Sequence, residues 1–511
     1  MVDSSAVALP LSRWETLSDR LNPILVREVR QGLRGRSFRN LFLIVLVIAA
    51  VTSIGILVTA AIGDRSGTSV GENLYRVSFG TLHLALTLYV PFAAFQTVAG
   101  EWEEGTRDLL SLTRIGPGSV VSGKLLGTFL QALLLLAAFV PFAVFAFLLR
   151  GIDLWRVIVD LNGEASSCAT LTMIAIALAA FGRDRTSRIF LLALLGGIVL
   201  FGGGSVFFLF RSRAMPVVAG SSLSELVSPW LGTLTIGAFG FVIARNRFTH
   251  REENRSTPLR VVMTLILVVA IVLFGLIRAT GGAGLLGLQF WTTMICIAFY
   301  GCCVVFVAEP LPLGRRTAAG LSRRKGFATA LAPWLPGGMR GLLYFVLHVP
   351  LVVLLGVLAN PLRTSSLDGG TLPKVAMGLA YTACILGLAS LLLMRSKRGA
   401  GVRTLVVIGS WVVPLGVSWF VAVFTSIVPL SLGMLEGVLE VVNVVPSIFT
   451  AGDGSDSWIG RFFLVSGIGL VLLVLHVRGM IASIHEVRVA ARRSAQAPVQ
   501  EAAAGSAACA S

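Results

Sequence analysis

The sequence predicts an all-α polytopic membrane protein with about 12 transmembrane helices as two six-helix halves. Apolar residues make up 55% of the 511 positions, charged residues only 13%, and the mean hydropathy is +0.86. A soluble protein of this length needs more surface charge. The apolar residues gather in runs of about 20, long enough as helices to cross a hydrocarbon layer about 30 Å thick. Helices are expected because lipid cannot satisfy open backbone groups and no barrel-like alternation appears.

The apolar runs place six spans in each half. The predicted spans lie near residues 40–62, 79–99, 125–149, 165–182, 189–210 and 227–244, and then near 261–277, 288–307, 341–360, 375–394, 404–430 and 459–477. They divide the chain into an N-terminal segment with an amphipathic helix (1–39), a first membrane module (40–256), a second membrane half (257–478) and a tail (479–511). From residue 495 the tail is rich in Ala, Ser, Gly and Gln, which predicts disorder.

The distribution of positive charge predicts the orientation. With the N-terminus inside, the inner segments hold 32 of the 42 Lys and Arg residues, and cytoplasmic segments carry such an excess. Both termini are therefore predicted to be cytoplasmic, in a multi-pass protein of the cell (inner) membrane. Topology accounts for the formal net charge of +17 without nucleic acid as a partner.

Polar residues inside the spans are few. All 25 Asp and Glu residues are assigned to loops, tails or span edges. The main polar side chains within spans are His83, Gln96, Gln131 and His348, each expected to hydrogen-bond between helices rather than to bind a ligand. Because ion-coupled carriers normally need a group to protonate or coordinate inside the membrane, this pattern disfavours that class.

The sequence predicts no catalytic residue, no metal site and no cofactor. Residues 118–125 nearly match the phosphate-binding loop G-x-x-x-x-G-K-[ST], but Leu125 stands where a Ser or Thr would bind magnesium, and a membrane span follows. The six cysteines show neither zinc nor disulfide spacing. Any energy input must come from elsewhere.

The segment before the first span predicts an amphipathic helix. Asn22 can cap it and Pro23 can open it. We expect this helix to lie along the inner membrane surface, with an apolar stripe towards the acyl chains and arginines towards phosphates or a partner. The stripe is Leu25, Val29 and Leu33; the polar residues are Arg27, Glu28, Arg30 and Arg34.

The predicted inner loop between the second and third spans is unusually acidic. It reads Glu101-Trp102-Glu103-Glu104-Gly105-Thr106-Arg107-Asp108-Leu109-Leu110. Acids in a first turn suit the helix dipole, and Glu103 and Arg107 are spaced for an i, i+4 pair. A short exposed helix here would present carboxylates to a basic partner. A solvated loop helix without any partner is the alternative.

This loop, followed by Pro117 and Gly123-Lys124, resembles the E-x-E-x-G-T-x-x-x-L-L … P … G-K signature of ABC-2 type permeases, the membrane subunits of ATP-binding-cassette exporters. Asn22-Pro23 with Arg27-Glu28 is similar to the amphipathic connecting helix before their first span. The resemblance implies a coupling helix that docks on a separate ATPase subunit, with Glu101, Glu103, Glu104, Gly105, Thr106, Arg107 and Asp108 in or beside it. Arg114 stands where the family often has proline.

The resemblance covers about the first 256 residues, the usual size of one such module. The second half lacks the acidic motif, and it is either a decayed duplicate or an unrelated accessory domain. The working assembly is therefore expected to be a dimer of this chain or an internal pseudo-dimer. Residues 430–450 carry apolar residues at helical spacing, which predicts either an amphipathic helix at the outer surface or an extension of the preceding span.

Three functions remain open from the sequence. The leading hypothesis is the membrane permease subunit of an ABC exporter, itself not an enzyme, with ATP hydrolysed by a partner chain and membrane lipid around it. The second is an ATP-independent carrier or lipid scramblase. A membrane-embedded transferase acting on lipid-linked substrates ranks third, since the outer loops carry no paired acids.

Overall fold

The computed structural model describes residues 22–62, 70–103, 115–149, 152–182, 185–200, 222–249, 254–279, 285–309, 317, 329–359, 371–395, 403, 406–407, 409–410 and 457–509. Throughout these residues the chain is helical, without strands. It forms two compact units, Met1–His250 and Arg251–Ser511. Of the predicted features, the acidic loop from residue 104, the 430–450 stretch and nearly all of the 404–430 span lie outside the described residues.

Among its described residues, the first unit contains eight α-helices. They are α1 (Pro23–Arg34), α2 (Arg36–Ile62), α3 (Val70–Leu84), which passes through a π-helical turn (Ala85–Tyr89) into α4 (Val90–Glu103), then α5 (Pro117–Leu148), α6 (Leu154–Ala179), α7 (Arg185–Ile198) and α8 (Ser222–Phe248). An extended Gly35 separates α1 from α2. The apolar core draws on α2 to α8 and includes Phe38, Leu74, Leu86, Phe95, Val121, Leu135, Phe139, Ile176, Leu195 and Ala244.

Polar contacts add to the packing of α6 against α8. The indole Nε1 of Trp230 donates to Oδ1 of Asn162 at 2.8 Å, and the hydroxyls of Thr170 and Thr233 are 2.9 Å apart. Such bonds join helices where no water competes for them.

The second unit contains α9 (Ser256–Ala279), α10 (Leu285–Val307), a 3-10 turn (Ala332–Trp334), α11 (Gly338–Leu358), α12 (Thr371–Arg395) and α13 (Ser457–Cys509). Helices α12 and α13 pack closely, with Tyr381 and Val465 in a shared apolar cluster. The backbone of α13 continues to Cys509, so the tail predicted to be disordered is helical there. Its abundant alanine, which has the highest helix propensity, favours that outcome.

Eight helices in the described part of the chain are long and apolar enough to cross a membrane, and Trp291–Val307 is a shorter apolar helix. Several of them expose large apolar side chains around much of their surface. On α2 these are Leu43, Ile44, Val47, Val51, Ile54 and Val58. Such a surface suits contact with lipid. The architecture is compatible with a multi-pass membrane protein, while the count of 12 spans and the side of each terminus remain predictions.

Candidate functional site

Helix α1 packs lengthwise against the first half of α5. Asn22 caps α1 through its Oδ1, which accepts from the amide of Ile24 at 3.1 Å, and its Nδ2 donates to the carbonyl of Ser119 at 2.6 Å. Pro23 opens the helix, as predicted. The two helices then run side by side in the same direction, with Ile24 beside Gly123 and Glu28 beside Gly127.

Two glycines on α5 allow this close approach. A Cβ at Gly123 would lie 2.8 Å from Cγ2 of Ile24, and one at Gly127 would lie 2.9 Å from Cβ of Glu28. Real Cβ atoms do not tolerate such distances without displacement of their neighbours. Gly123 and Gly127 are four residues apart, the small-xxx-small spacing that lets helix backbones meet in membranes.

Between these glycines lies Lys124, which is only 1% exposed. Its Nζ is 2.9 Å from Oε1 of Glu28 on α1 and 2.9 Å from Oε1 of Glu101 near the end of α4. It also donates to the carbonyl of Thr97 at 3.3 Å. The side chains of Glu28 and Glu101 are 10% and 5% exposed. One buried ammonium therefore joins α1, α4 and α5. We call these three side chains the Lys124 cluster.

The Lys124 cluster connects the two ends of the acidic loop. Glu101, the first residue of the loop, lies on α4, and Lys124 lies on α5, the described helix that follows the loop, so both helices are held to one charge and, through Glu28, to α1. Removing one partner of a buried charge pair typically costs about 3–5 kcal/mol, since the remaining charge is left without compensation. The three helices are thus expected to move together rather than separately.

Of the predicted docking residues, the structure describes Glu101 and Glu103. Glu101 is buried in the Lys124 cluster rather than presented to solvent, and Glu103 is the last residue of α4. Glu104, Gly105, Thr106, Arg107 and Asp108 lie outside the described residues.

The predicted membrane-surface helix packs one face against the protein. The side chains on that face are Ile24 and Glu28, and Leu33, from the stripe predicted to face lipid, is 41% exposed. The position of this helix at the membrane surface remains a prediction. The close contacts with Gly123 and Gly127 and the ion pair with Lys124 determine which face of α1 is buried. Arg27, Arg30 and Arg34 are exposed, which leaves them available to phosphates or a partner.

One sequence prediction is wrong: carboxylates do occur inside a candidate membrane span. Asp160 and Glu164 both lie within α6, and Glu164 stands ten residues after its first residue, about 15 Å along the helix. The hydropathy window began this span at 165, after the last acid, because a carboxylate in lipid is costly. The structure offsets that cost by turning Glu164 inward, where its Oε2 is 2.8 Å from Nδ1 of His83.

The four polar residues predicted to hydrogen-bond between helices lie in three kinds of environment. His83 hydrogen-bonds to Glu164 on α6, and Nε2 of His348 is 2.9 Å from the hydroxyl of Thr264 on α9, so both make the expected interhelical bonds. Gln131 is buried where α5 faces α1, beside Gly32. Gln96 is exposed.

Within the described ranges, no group of three or more His, Cys, Asp or Glu side chains is placed to hold a metal ion. Comparison of the chain with protein-family models and with curated proteins found no match.

Proposed function

We propose that this chain is the membrane permease subunit of an ATP-binding-cassette exporter, which a separate ATPase subunit drives by docking on the acidic loop. The observation that carries the proposal is the Lys124 cluster, because it joins both flanks of that loop to α1. The ABC-2 type signature supports the same assignment, since Glu101 and Gly123-Lys124 belong to the residues that carry the resemblance.

The cluster suggests how force would spread. A displacement of the docked loop reaches α4 through Glu101 and α5 through Lys124, and α1 follows through Glu28. Nucleotide-driven closure of the ATPases would move these helices as a unit, and the spans would then switch access between the two sides. Each state would be favoured by its own contacts, as in any two-state switch.

Charge reversal in the acidic loop tests the docking. We expect the detergent-solubilised wild-type assembly to contain an ATP-hydrolysing chain, and we expect Glu103→Lys with Glu104→Lys to remove that activity from the purified material. Glu72→Lys is the matched control, because Glu72 is a partly exposed acid in a local pair with Arg76 on α3. ATPase content and transport that survive the double reversal would contradict docking at this loop.

The assembly is proposed to contain two six-helix modules. Either two copies of this chain supply them, or the two halves of one chain form a pseudo-dimer. Cross-linking of the intact assembly, followed by mass measurement, distinguishes these arrangements: a product of two chains supports the dimer, and monomers alone support the pseudo-dimer.

A second candidate is favoured by a specific observation. The buried His83–Glu164 pair supplies the titratable group that ion-coupled carriers need, so an ATP-independent carrier is the alternative function. Vesicles containing only this chain and a lumenal pH-sensitive dye test it. Proton flux without ATP or any second protein would favour the carrier, whereas its absence would favour the ATP-driven permease.

A further inference from the structure

The His83–Glu164 pair lies far from the ends of two candidate membrane spans. Glu164 is about 15 Å along α6, and His83 is 13 residues, about 20 Å, from the first residue of α3. Their side chains are 5% and 8% exposed. The pair therefore lies in the interior of the helix bundle, where charge is poorly solvated.

The carboxylate of Glu164 is only half satisfied. Its Oε2 contacts Nδ1 of His83, but its Oε1 is buried without a hydrogen-bond partner among the described residues. An unpartnered buried carboxylate oxygen is costly when the group is ionised. Protonation removes that cost, because a carboxylic acid is neutral and its hydroxyl is a donor.

The backbone beside His83 departs from regular α-helical geometry. The π-helical turn Ala85–Tyr89 begins two residues after His83, and single π-turns inside α-helices occur frequently at functional sites. The hydroxyl of Thr87 donates to the carbonyl of His83 at 2.6 Å, and Sγ of Cys168 donates to the carbonyl of Leu86 at 3.7 Å. Helix α6 thus contacts the π-turn as well as the histidine.

Other titratable groups surround the pair. Asp160 lies one turn before Glu164 on α6, and its Oδ2 accepts from the hydroxyl of Tyr75 on α3 at 2.9 Å and lies 3.9 Å from Nε of Arg156. Cys168 lies one turn after Glu164. Because Arg156 is partly exposed and pairs with Asp160, it does not neutralise Glu164 directly.

We propose that His83 and Glu164 form a proton-binding site inside the first unit. With no added proton, the Nδ1–H of neutral His83 donates to ionised Glu164, and the pair carries a charge of −1. One bound proton, on the unpartnered Oε1 of Glu164, makes the pair neutral. The ligand is a proton drawn from water, so no redox partner or cosubstrate is required. The site does not depend on ATPase docking.

Infrared titration of the full-length chain in lipid nanodiscs tests the site. With ¹³C-labelled glutamate, we expect a protonated-glutamate band that loses intensity as the pH is raised. The label separates Glu164 from Asp160 without any substitution. A labelled band that is absent, or that does not change with pH, would overturn the proposal.

Variants assign the exchange to the pair. Glu164→Gln should abolish the titrating band, and His83→Gln should change the apparent proton affinity by about tenfold or more. Glu72→Gln, at the partly exposed Glu72–Arg76 pair, should leave the band unchanged. If the band persists in Glu164→Gln, or is abolished by Glu72→Gln, the site is assigned to the wrong residue. Should Glu164→Gln fail to fold, the wild-type titration with labelled glutamate and His83→Gln still decide the question.

Discussion

The two units each bury a cation near the start of a long helix, but they satisfy it differently. In the first unit Lys124 on α5 is shared by two carboxylates from two other helices, both at 2.9 Å. In the second unit Arg340 on α11 follows a Gly-Gly-Met sequence and contacts Glu486 at 3.4 Å, an acid whose side chain is 44% exposed. Each unit therefore carries a buried cation near the start of a long helix, and the two cations have different partners.

In the second unit another buried cation, Arg260, joins separate segments of the chain. Arg260 on α9 is fully buried and contacts Glu309 at 2.8 Å, just beyond α10. Its guanidinium also donates to the carbonyls of Pro333 at 2.7 Å, Leu335 at 2.6 Å and Gly337 at 3.4 Å. The chain entering α11 is thus held by bonds to its backbone.

The two sets of contacts differ in whether they can transmit movement from one helix to another. Contacts between flexible side chains of three helices can break and re-form as those helices shift, whereas a guanidinium bonded to the carbonyls of three alternate residues fixes one local segment. We call the contacts of Arg260 with Glu309 and with the carbonyls of Pro333, Leu335 and Gly337 the Arg260 network. We interpret the Lys124 cluster as a connection between helices that move, and the Arg260 network as a brace that holds the chain entering α11 in place. Four substitutions test that distinction.

The largest effect is expected from Lys124→Met. Removal of the ammonium leaves Glu28 and Glu101 buried together, and the free energy of unfolding in detergent should fall by about 3–5 kcal/mol. The triple variant with Glu28→Gln and Glu101→Gln should regain most of that stability, because no buried charge remains. If the cluster also transmits force, the triple variant should fold but fail to couple transport to ATP hydrolysis. Full transport in the triple variant would reduce the cluster to a structural role.

Arg260→Lys should have the next largest effect. An ammonium has three donors and no planar fork, so it cannot reproduce the bonds to Glu309 and to three carbonyls. We expect a loss of about 2 kcal/mol, measured by denaturation in mixed micelles. Arg278→Lys, on the same helix with a solvent-exposed bond to the carbonyl of Val357, is the control and should change stability little. Equal losses in both variants would contradict the bracing role.

Gly127→Ala should weaken the packing of α1 against α5, with a smaller effect than the two substitutions above. The added methyl meets Cβ of Glu28 at 2.9 Å, and such overpacking typically costs about 1–3 kcal/mol. Gly55→Ala on α2 is a matched control, since no neighbouring atom lies within 4 Å of its Cβ position. Cysteine cross-linking between α1 and α5 should fall in Gly127→Ala and remain unchanged in Gly55→Ala. Undiminished cross-linking in Gly127→Ala would show that the close approach is not required.

Local chemistry made part of this structure predictable. Helices follow from apolar runs in a chain that cannot leave backbone groups open in lipid. The start of α1 follows from Asn22 and Pro23, whose preferences depend only on neighbouring residues. The acids of the loop after Glu103 were recognised by pattern, and their docking role remains a prediction.

The buried charges depend on contacts that hydropathy does not encode. Lys124 meets Glu28 from 96 positions away, and His83 meets Glu164 from 81. A window average treats each carboxylate as though it faced lipid, so it excluded Glu164 from its span. One signal was available in the sequence: an ammonium seven residues inside a helix, beside the Gly123–Gly127 pair, indicates a close helix neighbour and a buried counter-charge.

The smallest effect is expected from Arg340→Met, which makes at the second unit the same change as Lys124→Met at the first. The partner acid Glu486 is 44% exposed and stays solvated when the guanidinium is removed, so this change does not leave Glu486 as a buried charge without its counter-ion. Methionine also fills much of the space of the arginine stem. The free energy of unfolding should therefore change several times less than in Lys124→Met, with both measured in the same micelles. A loss as large as that of Lys124→Met would mean that the two units depend equally on the buried cations at the starts of α5 and α11, which would contradict the contrast drawn between Lys124 and Arg340.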